Sequence, residues 1–262
     1  MTVGPRKPPY FWLAATAILL VFMALLAVRL GFWPKSSADP ASQSGPPVAE
    51  ATEDWMAIYQ NDDQIGYSHR RFQPTAEGFR LADETFMRVN TMGMVQDVRL
   101  GTVGRLRRDM SLAAFDFRLA SNLFAFQAHG TVEGKILRVT IGEHTSEIGL
   151  SGPIYLASGI LNGLRFEGPG SGKPRTYPVF DPSTLSQRPV TVTPEAEETI
   201  EVLGRPTPTR RLKVEFAGAS GLAWVDLQGR VVREKGLMGI EIRRATREAA
   251  LAGLNTRLAI DS

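Results

Sequence analysis

Trp55-Met56-Ala57-Ile58-Tyr59-Gln60-Asn61-Asp62-Asp63-Gln64-Ile65-Gly66-Tyr67-Ser68-His69-Arg70-Arg71-Phe72 reads as a strand, a turn and a returning strand. Aromatic and β-branched residues fill both arms, and Gln60 to Gln64 supplies the polar turn between them. The pattern continues outward from this hairpin. Phe79, Leu81, Met87 and Val89 recur at even spacing with Arg80, Glu84 and Arg88 between them, as in a half-buried strand. Val98, Leu100, Thr102 and Leu106 alternate with Arg99, Arg105 and Arg107, and Ala113, Phe115, Phe117 and Leu119 with Asp116 and Arg118. Phe124, Phe126 and Ala128 face one way, Gln127 and His129 the other; Leu137, Val139 and Ile141 follow. Ser121-Asn122 and Glu133-Gly134 are turns. Short connections between long strands predict an antiparallel meander.

The segment Ile154 to Leu164 breaks this rhythm. Ile154, Leu156, Ile160, Leu161 and Leu164 suit a short amphipathic helix with Pro153 near its first turn. Glu167 to Pro174 is a loop, and Thr176 to Pro182 is extended. Strands are expected at Val190 to Thr193, Thr199 to Leu203, Arg210 to Phe216, Gly221 to Asp226, Arg230 to Lys235 and Ile240 to Arg244. Asp226-Leu227-Gln228-Gly229 is a hairpin turn, and Thr246 to Leu258 a short helical tail. The expected fold is mainly β: a curved antiparallel sheet, half-barrel-like or split into two sheets, with one short helix near 154–164 and one at the C-terminal end. Glycines 66, 93, 101 and 104 are placed to bend such strands.

Ahead of this domain, Tyr10 to Val28 holds nineteen residues without a charge. As a helix it spans about 28 Å, close to the hydrocarbon thickness of a bilayer. Tyr10, Phe11 and Trp12 flank one end, Phe32 and Trp33 the other, as interfacial aromatics do. The run is longer than a signal-peptide core, and no small-x-small site follows it, so it is expected to remain as a signal-anchor. Residues 1–33 are then tail and anchor. Residues 34–52, rich in Pro, Ser, Ala and Gly, form a linker with too little apolar surface to fold, and 53–262 form the domain. Arg6 and Lys7 before the helix are matched by Arg29 and Lys35 after it. The short N-terminal tail favours N-inside, which places the domain in the periplasm on the bacterial inner membrane.

Composition narrows the chemistry. The net charge of +3 is small and the Lys and Arg residues are scattered, so no nucleic-acid footprint is expected. The chain has no cysteine, which removes disulfides, thiolate metal sites and cysteine nucleophiles. Gly168-Pro169-Gly170-Ser171-Gly172-Lys173 fails as a phosphate loop: Glu167 stands where the first glycine belongs, and Pro174 follows the lysine. His69, His129 and His144 have no metal-site spacing, and a solvated sheet-face position is expected for His129 and His144. Asp181-Pro182 is expected to make a side-chain-to-backbone turn. Asp62-Asp63 has too few nearby oxygens for calcium. Arg105-Leu106-Arg107-Arg108 is a solvated strand face, or else a contact for lipid headgroups or an acidic partner. No catalytic, cofactor or metal residue is assigned. Phe115, Phe117, Phe124 and Phe126 fall in adjacent strands. They are ordinary core or, if the sheet curves, the lining of an apolar ligand cavity.

The order of short motifs carries a resemblance. Trp55-Met56-Ala57-Ile58-Tyr59 with Ile65-Gly66-Tyr67-Ser68, Phe115-Asp116-Phe117, Pro178 to Leu185, Trp224-Val225-Asp226 with Gly229-Arg230-Val231, and Thr246 to Ala250 follow a membrane anchor. From about Trp55 to Ala250 this resembles the amino-terminal, non-catalytic β-rich region of bacterial membrane-anchored transglutaminase-like proteins. In that family a papain-like core with a Cys-His-Asp triad follows the region. With no cysteine here, no catalytic residue carries over. The resemblance implies a non-catalytic periplasmic interaction or regulatory module beside a transglutaminase- or protease-like system, with an envelope protein as partner and no cofactor. The alternative is a carrier or sensor of lipid or another apolar ligand.

Overall fold

The computed structural model describes residues 51–91, 94–163, 173–216, 218–236 and 238–258; the apolar run from Tyr10 to Val28, residues 34–50 of the expected linker and Gly93 lie outside them, and Thr52, expected at the linker's end, opens the first strand. No helix among the described residues is long and apolar enough to cross a membrane. The first eight strands are β1 (Thr52–Gln60), β2 (Asp63–Pro74), β3 (Gly78–Thr91), β4 (Met94–Arg107), β5 (Leu112–Ser121), β6 (Ala125–Glu133), β7 (Ile136–Ile141) and β8 (His144–Gly149). After helix α1 (Ala157–Gly163) come β9 (Arg175–Asp181), β10 (Ser186–Val202), β11 (Arg205–Phe216), β12 (Ala219–Asp226), β13 (Val231–Lys235), β14 (Ile240–Ala245) and helix α2 (Arg247–Leu258). All fourteen strands belong to one sheet, in the order β8-β7-β6-β5-β4-β3-β2-β1-β14-β13-β12-β11-β10-β9. Each pairing is antiparallel. The expected curved antiparallel sheet is therefore present, as one sheet and not two.

Turn chemistry sets the hairpins. Asn61 and Asp62 adopt φ of 50° and 68° between β1 and β2, a conformation Asn and Asp tolerate better than most residues. Asp226 Oδ1 accepts from the backbone N–H of Gln228 and Arg230, and Gly229 takes φ 72°. The Asp181 turn forms as expected, with the Ser183 N–H donating to Asp181 Oδ1 at 2.9 Å. Gly66 stands where the β1–β2 register shifts between Ile58 and Tyr59; a Cβ there would lie 2.0 Å from the Phe86 carbonyl oxygen. Only glycine lets β3 approach β2 so closely at that step.

Two expectations are corrected. The helix expected near 154–164 starts only at Ala157, because Tyr155 is extended and bridges Val179 in parallel. Its N–H donates to Pro178 O at 3.0 Å, and the Phe180 N–H donates to Tyr155 O at 2.8 Å. Strands expected separately at 190–193 and 199–203 are one strand, β10, with a register shift between Pro194 and Glu197 that absorbs the proline. Pro206 and Pro208 are tolerated in β11 because β12 pairs only from Thr209 onward.

The sheet curls back on itself. Nine strands separate β5 from β9 in the sheet order, yet Phe115 of β5 packs on Phe180 of β9 with ring centroids 5.3 Å apart. The Leu112 N–H donates to Ile154 O at 2.7 Å, so the 150–156 segment fills the seam. Inside lie two apolar clusters. One joins Phe72, Leu81, Leu112, Phe115, Leu137 and Phe180; the other joins Met56, Val179, Val192, Leu212 and Val225 with Ile160 of α1. Outside, α2 lies against β1 and β2, where Gln64 Nε2 donates to Ala250 O at 2.8 Å and Ala250 is fully buried.

The outer face of β10–β14 is tied by ion pairs. Arg211 bonds Glu195 at 2.9 Å and Glu198 at 3.1 Å, and the Trp224 Nε1–H donates to Glu198 at 2.9 Å. Glu241 accepts from Arg243 at 2.8 Å and from Arg233. Burial would raise the Glu241 carboxyl, but hydrogen bonds from Arg243 and Arg233 and their charges outweigh it and hold the pKa at about 2. Because the folded value lies below the ordinary 4.5, the stabilisation is present above pH 4.5 and is lost as pH falls from there to about 2. Glu241→Gln is therefore expected to cost up to about 3 kcal/mol at neutral pH. It should also flatten the acid limb of a urea-denaturation series; an unchanged acid limb would refute the assignment.

Candidate functional site

The inner face of β2 to β6 presents two adjacent register rows. One runs Ser68, Thr85, Leu100, Leu119, Phe126; the other runs Arg70, Asp83, Thr102, Phe117, Ala128. Strand alternation puts both rows on the side that carries Phe72 and Leu81. In the first row Leu100, Leu119 and Phe126 are only half-buried, packed at the margin of the core. The second row begins with charge. Asp54 stands opposite Arg70 across β1–β2, and Arg244 opposite Met56 across β14–β1, on the same face.

These charges form one cluster. Arg70 Nε donates to Asp83 Oδ2 at 3.1 Å, and Ser68 Oγ donates to Asp83 Oδ1 at 3.1 Å. The Arg70 and Asp83 side chains are 19% and 15% exposed. Arg244 Nη2 lies 2.7 Å from Asp54 Oδ1, yet Asp54 Oδ1 and Arg244 Nη1 are buried without a hydrogen-bond partner, so that contact is ionic and badly aligned. Glu234 of β13 adds a third carboxyl. Burial raises its pKa, opposed by the Arg70 charge and reinforced by that of Asp83. Burial would lower the Arg70 guanidinium, but Asp83, Glu234 and Asp54 together raise it. The arrangement offers fixed charged donors and acceptors beside a half-buried apolar strip. Among the described residues no three His, Cys, Asp or Glu side chains are grouped to hold a metal ion.

The four phenylalanines part company. Phe115 and Phe117 are core, 1% and 4% exposed. Phe126 sits edge-on to Phe117, with centroids 6.1 Å apart, at the core margin. Phe124 is 52% exposed in the β5–β6 turn. Thus only Phe117 and Phe126 meet on the inner face beside the charged row. His129 is half-exposed and bonds Asp116 at 2.8 Å, and β7 runs between its strand and that of His144. His69 is buried on the outer face, stacked 4.0 Å from Trp55 and 2.7 Å from Glu53.

Sequence reasoning passed over Asp54, Arg70, Asp83, Glu234 and Arg244. A signal was present: Asp83 shares the parity of Phe79 and Leu81, and Arg70 that of Phe72, so both charges fall at inward positions. Pairing of Arg244 with Asp54 was not legible, because β14 and β1 lie at opposite ends of the domain's sequence.

No family model matches the chain, and no curated protein matches it. Among solved structures, the β-barrel-like DUF1849 protein from Brucella abortus is similar at 11% identity and a TM-score of 0.55, over 73% of this chain and 93% of that one. A DUF1089 family protein from Pseudomonas aeruginosa is similar at 13% identity and a TM-score of 0.38, over 76% and 95%. The first likeness is one of fold, and it agrees with the curl that brings β5 to β9: this chain folds as a β-barrel-like antiparallel domain.

Proposed function

We propose that the domain is a non-catalytic receptor for an amphipathic ligand, held at the bacterial inner membrane by the 10–28 segment and facing the periplasm. The apolar part of the ligand lies along Leu100, Leu119 and Phe126, and its polar end meets the Arg70–Asp83 and Arg244–Asp54 pairs. The supporting observation is the direct adjacency of those two register rows on one face. Half-buried apolar side chains beside buried, imperfectly satisfied charges suit a molecule with a chain and a head. The fold likeness to the β-barrel-like DUF1849 protein is compatible with a carrier. The resemblance to regions preceding transglutaminase cores gives the rival reading, a docking module for an envelope enzyme.

A photocrosslinking amino acid at position 126 of the full chain, in its own membrane, separates the two. The ligand reading expects a small apolar adduct at position 126 and none at position 118 on the outer face. A protein-sized adduct at 126, equal labelling at both positions, or no adduct would overturn it.

A further inference from the structure

The outer face carries a second feature that the inner-face reading does not use. Beside the β2–β3 turn lies a groove of about 720 Å³, lined by Thr75, Ala76, Glu77, Arg80, Arg105 and Asp116 among others. Arg80 and Arg105 face each other directly across β3–β4. Like charges directly opposite in a sheet destabilise it. Most other sheet arginines offset their charge locally: Arg71 with Glu84, Arg88 with Asp97, Arg138 with Glu133 and Glu147. Among the described residues neither Arg80 nor Arg105 has a carboxylate at ion-pair distance or any other assigned partner, and both are exposed.

The local structure keeps the pair open. Ala114 is the register partner of Arg105 on β5, and Ala82 follows Arg80 on its face, so the neighbours on those two sides are small. A register shift between Arg105 and Leu106 sets both Ala113 and Ala114 into the lining. Bulges of this kind re-aim side chains beside binding sites. Of the two carboxylates in the lining, Asp116 is engaged by His129 at 2.8 Å, and Glu77 sits at the turn. Arg107 is spent on the carbonyls of Leu112 and Val132 at 2.6 and 3.0 Å, which fixes the groove's end. Gln73, opposite Arg80, extends the same row with an amide donor.

We propose that the Arg80–Arg105 groove binds a phosphate-bearing anion, the two guanidinium groups converging on its oxygens as forked donors. Paired arginines suit phosphate geometry, and the bound anion removes the repulsion that the free pair carries. The chemistry is shared by a free phosphate compound and a phospholipid headgroup. The site lies on the opposite face from the proposed amphipath site and stands whether or not that reading does.

Inorganic pyrophosphate is the probe, titrated calorimetrically into the full chain in phosphatidylcholine nanodiscs at low salt. Wild type is expected to bind. Arg80→Gln and Arg105→Gln should each weaken binding about tenfold, the value of a lost charge-assisted hydrogen bond. Arg138→Gln, which removes an outer-face arginine held by two glutamates, should leave it unchanged. Neither groove variant should lower the melting temperature, since each relieves repulsion; a purely structural arginine would lower it on removal. Weaker pyrophosphate binding in phosphatidylglycerol discs assigns the groove to headgroups, and equal binding assigns it to a free phosphate compound. Absence of binding, or equal loss in Arg138→Gln, would overturn the proposal.

Discussion

Replacing Arg70 with alanine is expected to destabilise the domain by about 3 to 5 kcal/mol, the usual cost of removing one partner from a buried ion pair. The reason lies in what is left behind. Asp83 is only 15% exposed and keeps just the Ser68 hydroxyl. Glu234 loses the cation that opposes the effect of its burial. Its folded pKa, already above the ordinary 4.5, should rise further in the variant. A raised carboxyl contributes stability below its unfolded value that is lost as pH climbs through the folded one. The variant should therefore lose stability more steeply above pH 4.5 than wild type does. Urea denaturation at several pH values measures both effects. A double variant, Arg70→Met with Asp83→Leu, should recover most of the loss, because apolar packing replaces a buried pair at little cost. Under the proposed function, that recovered variant still loses the polar half of the ligand site. If Arg70→Ala alone melts like wild type, the cluster is not the buried element described here.

Phe115→Ala is expected to cost a similar amount, about 3 to 5 kcal/mol, through a different physical route. Phe115 is 1% exposed and rests on Phe180 across the seam. Its ring also occupies the space a side chain at position 130 would need: a Cβ on Gly130 would lie 2.1 Å from Phe115 Cε1. Truncation thus opens a cavity where β5, β6 and β9 meet, and rigid strands on three sides limit collapse. Hydrogen exchange should rise in β9 before it rises in β3, since the seam is held by this contact and by the Tyr155 bridge. Phe124→Ala is the companion measurement. At 52% exposure in a turn, Phe124 should change stability by no more than about 0.5 kcal/mol. Equal losses in the two variants would contradict the placement of these rings.

Local physics set much of this architecture, and local physics is written in the sequence. Alternation along 79–89, 98–106 and 115–119 fixed which side of each strand faces inward, because a strand's side chains alternate with period two; at Ala113 a register shift breaks it. Polar turn residues fixed the hairpins at Asn61-Asp62, Asp226 to Gly229 and Asp181 to Ser183, because their side chains bond their own backbone. The helix at the C-terminal end was equally local: Thr246 Oγ1 accepts from the Ala249 N–H and caps it. The proline-bearing stretch 194–208 misled a local reading. Its prolines look like breaks, yet a register shift and a half-paired strand accommodate them.

Tertiary structure alone decided what meets across distance. Nothing in the spacing of Glu53 to Phe72 and Ile240 to Ala245 says that β1 and β14 are neighbours, or that Asp54 meets Arg244 there. The same holds for Phe115 on Phe180, for the extended Tyr155 in place of a helical one, and for Glu234 beside Arg70 and Asp83. Each depends on the sheet's curl. Curl is the accumulated twist of fourteen strands, and single strands do not specify it. The sequence by itself determined most of the strands, their inward faces and their turns, because those forces act within a few residues; β8 and the continuity of β10 were not read from it. The candidate sites, the inner charged row and the Arg80–Arg105 groove, arose only when register placed distant strands side by side.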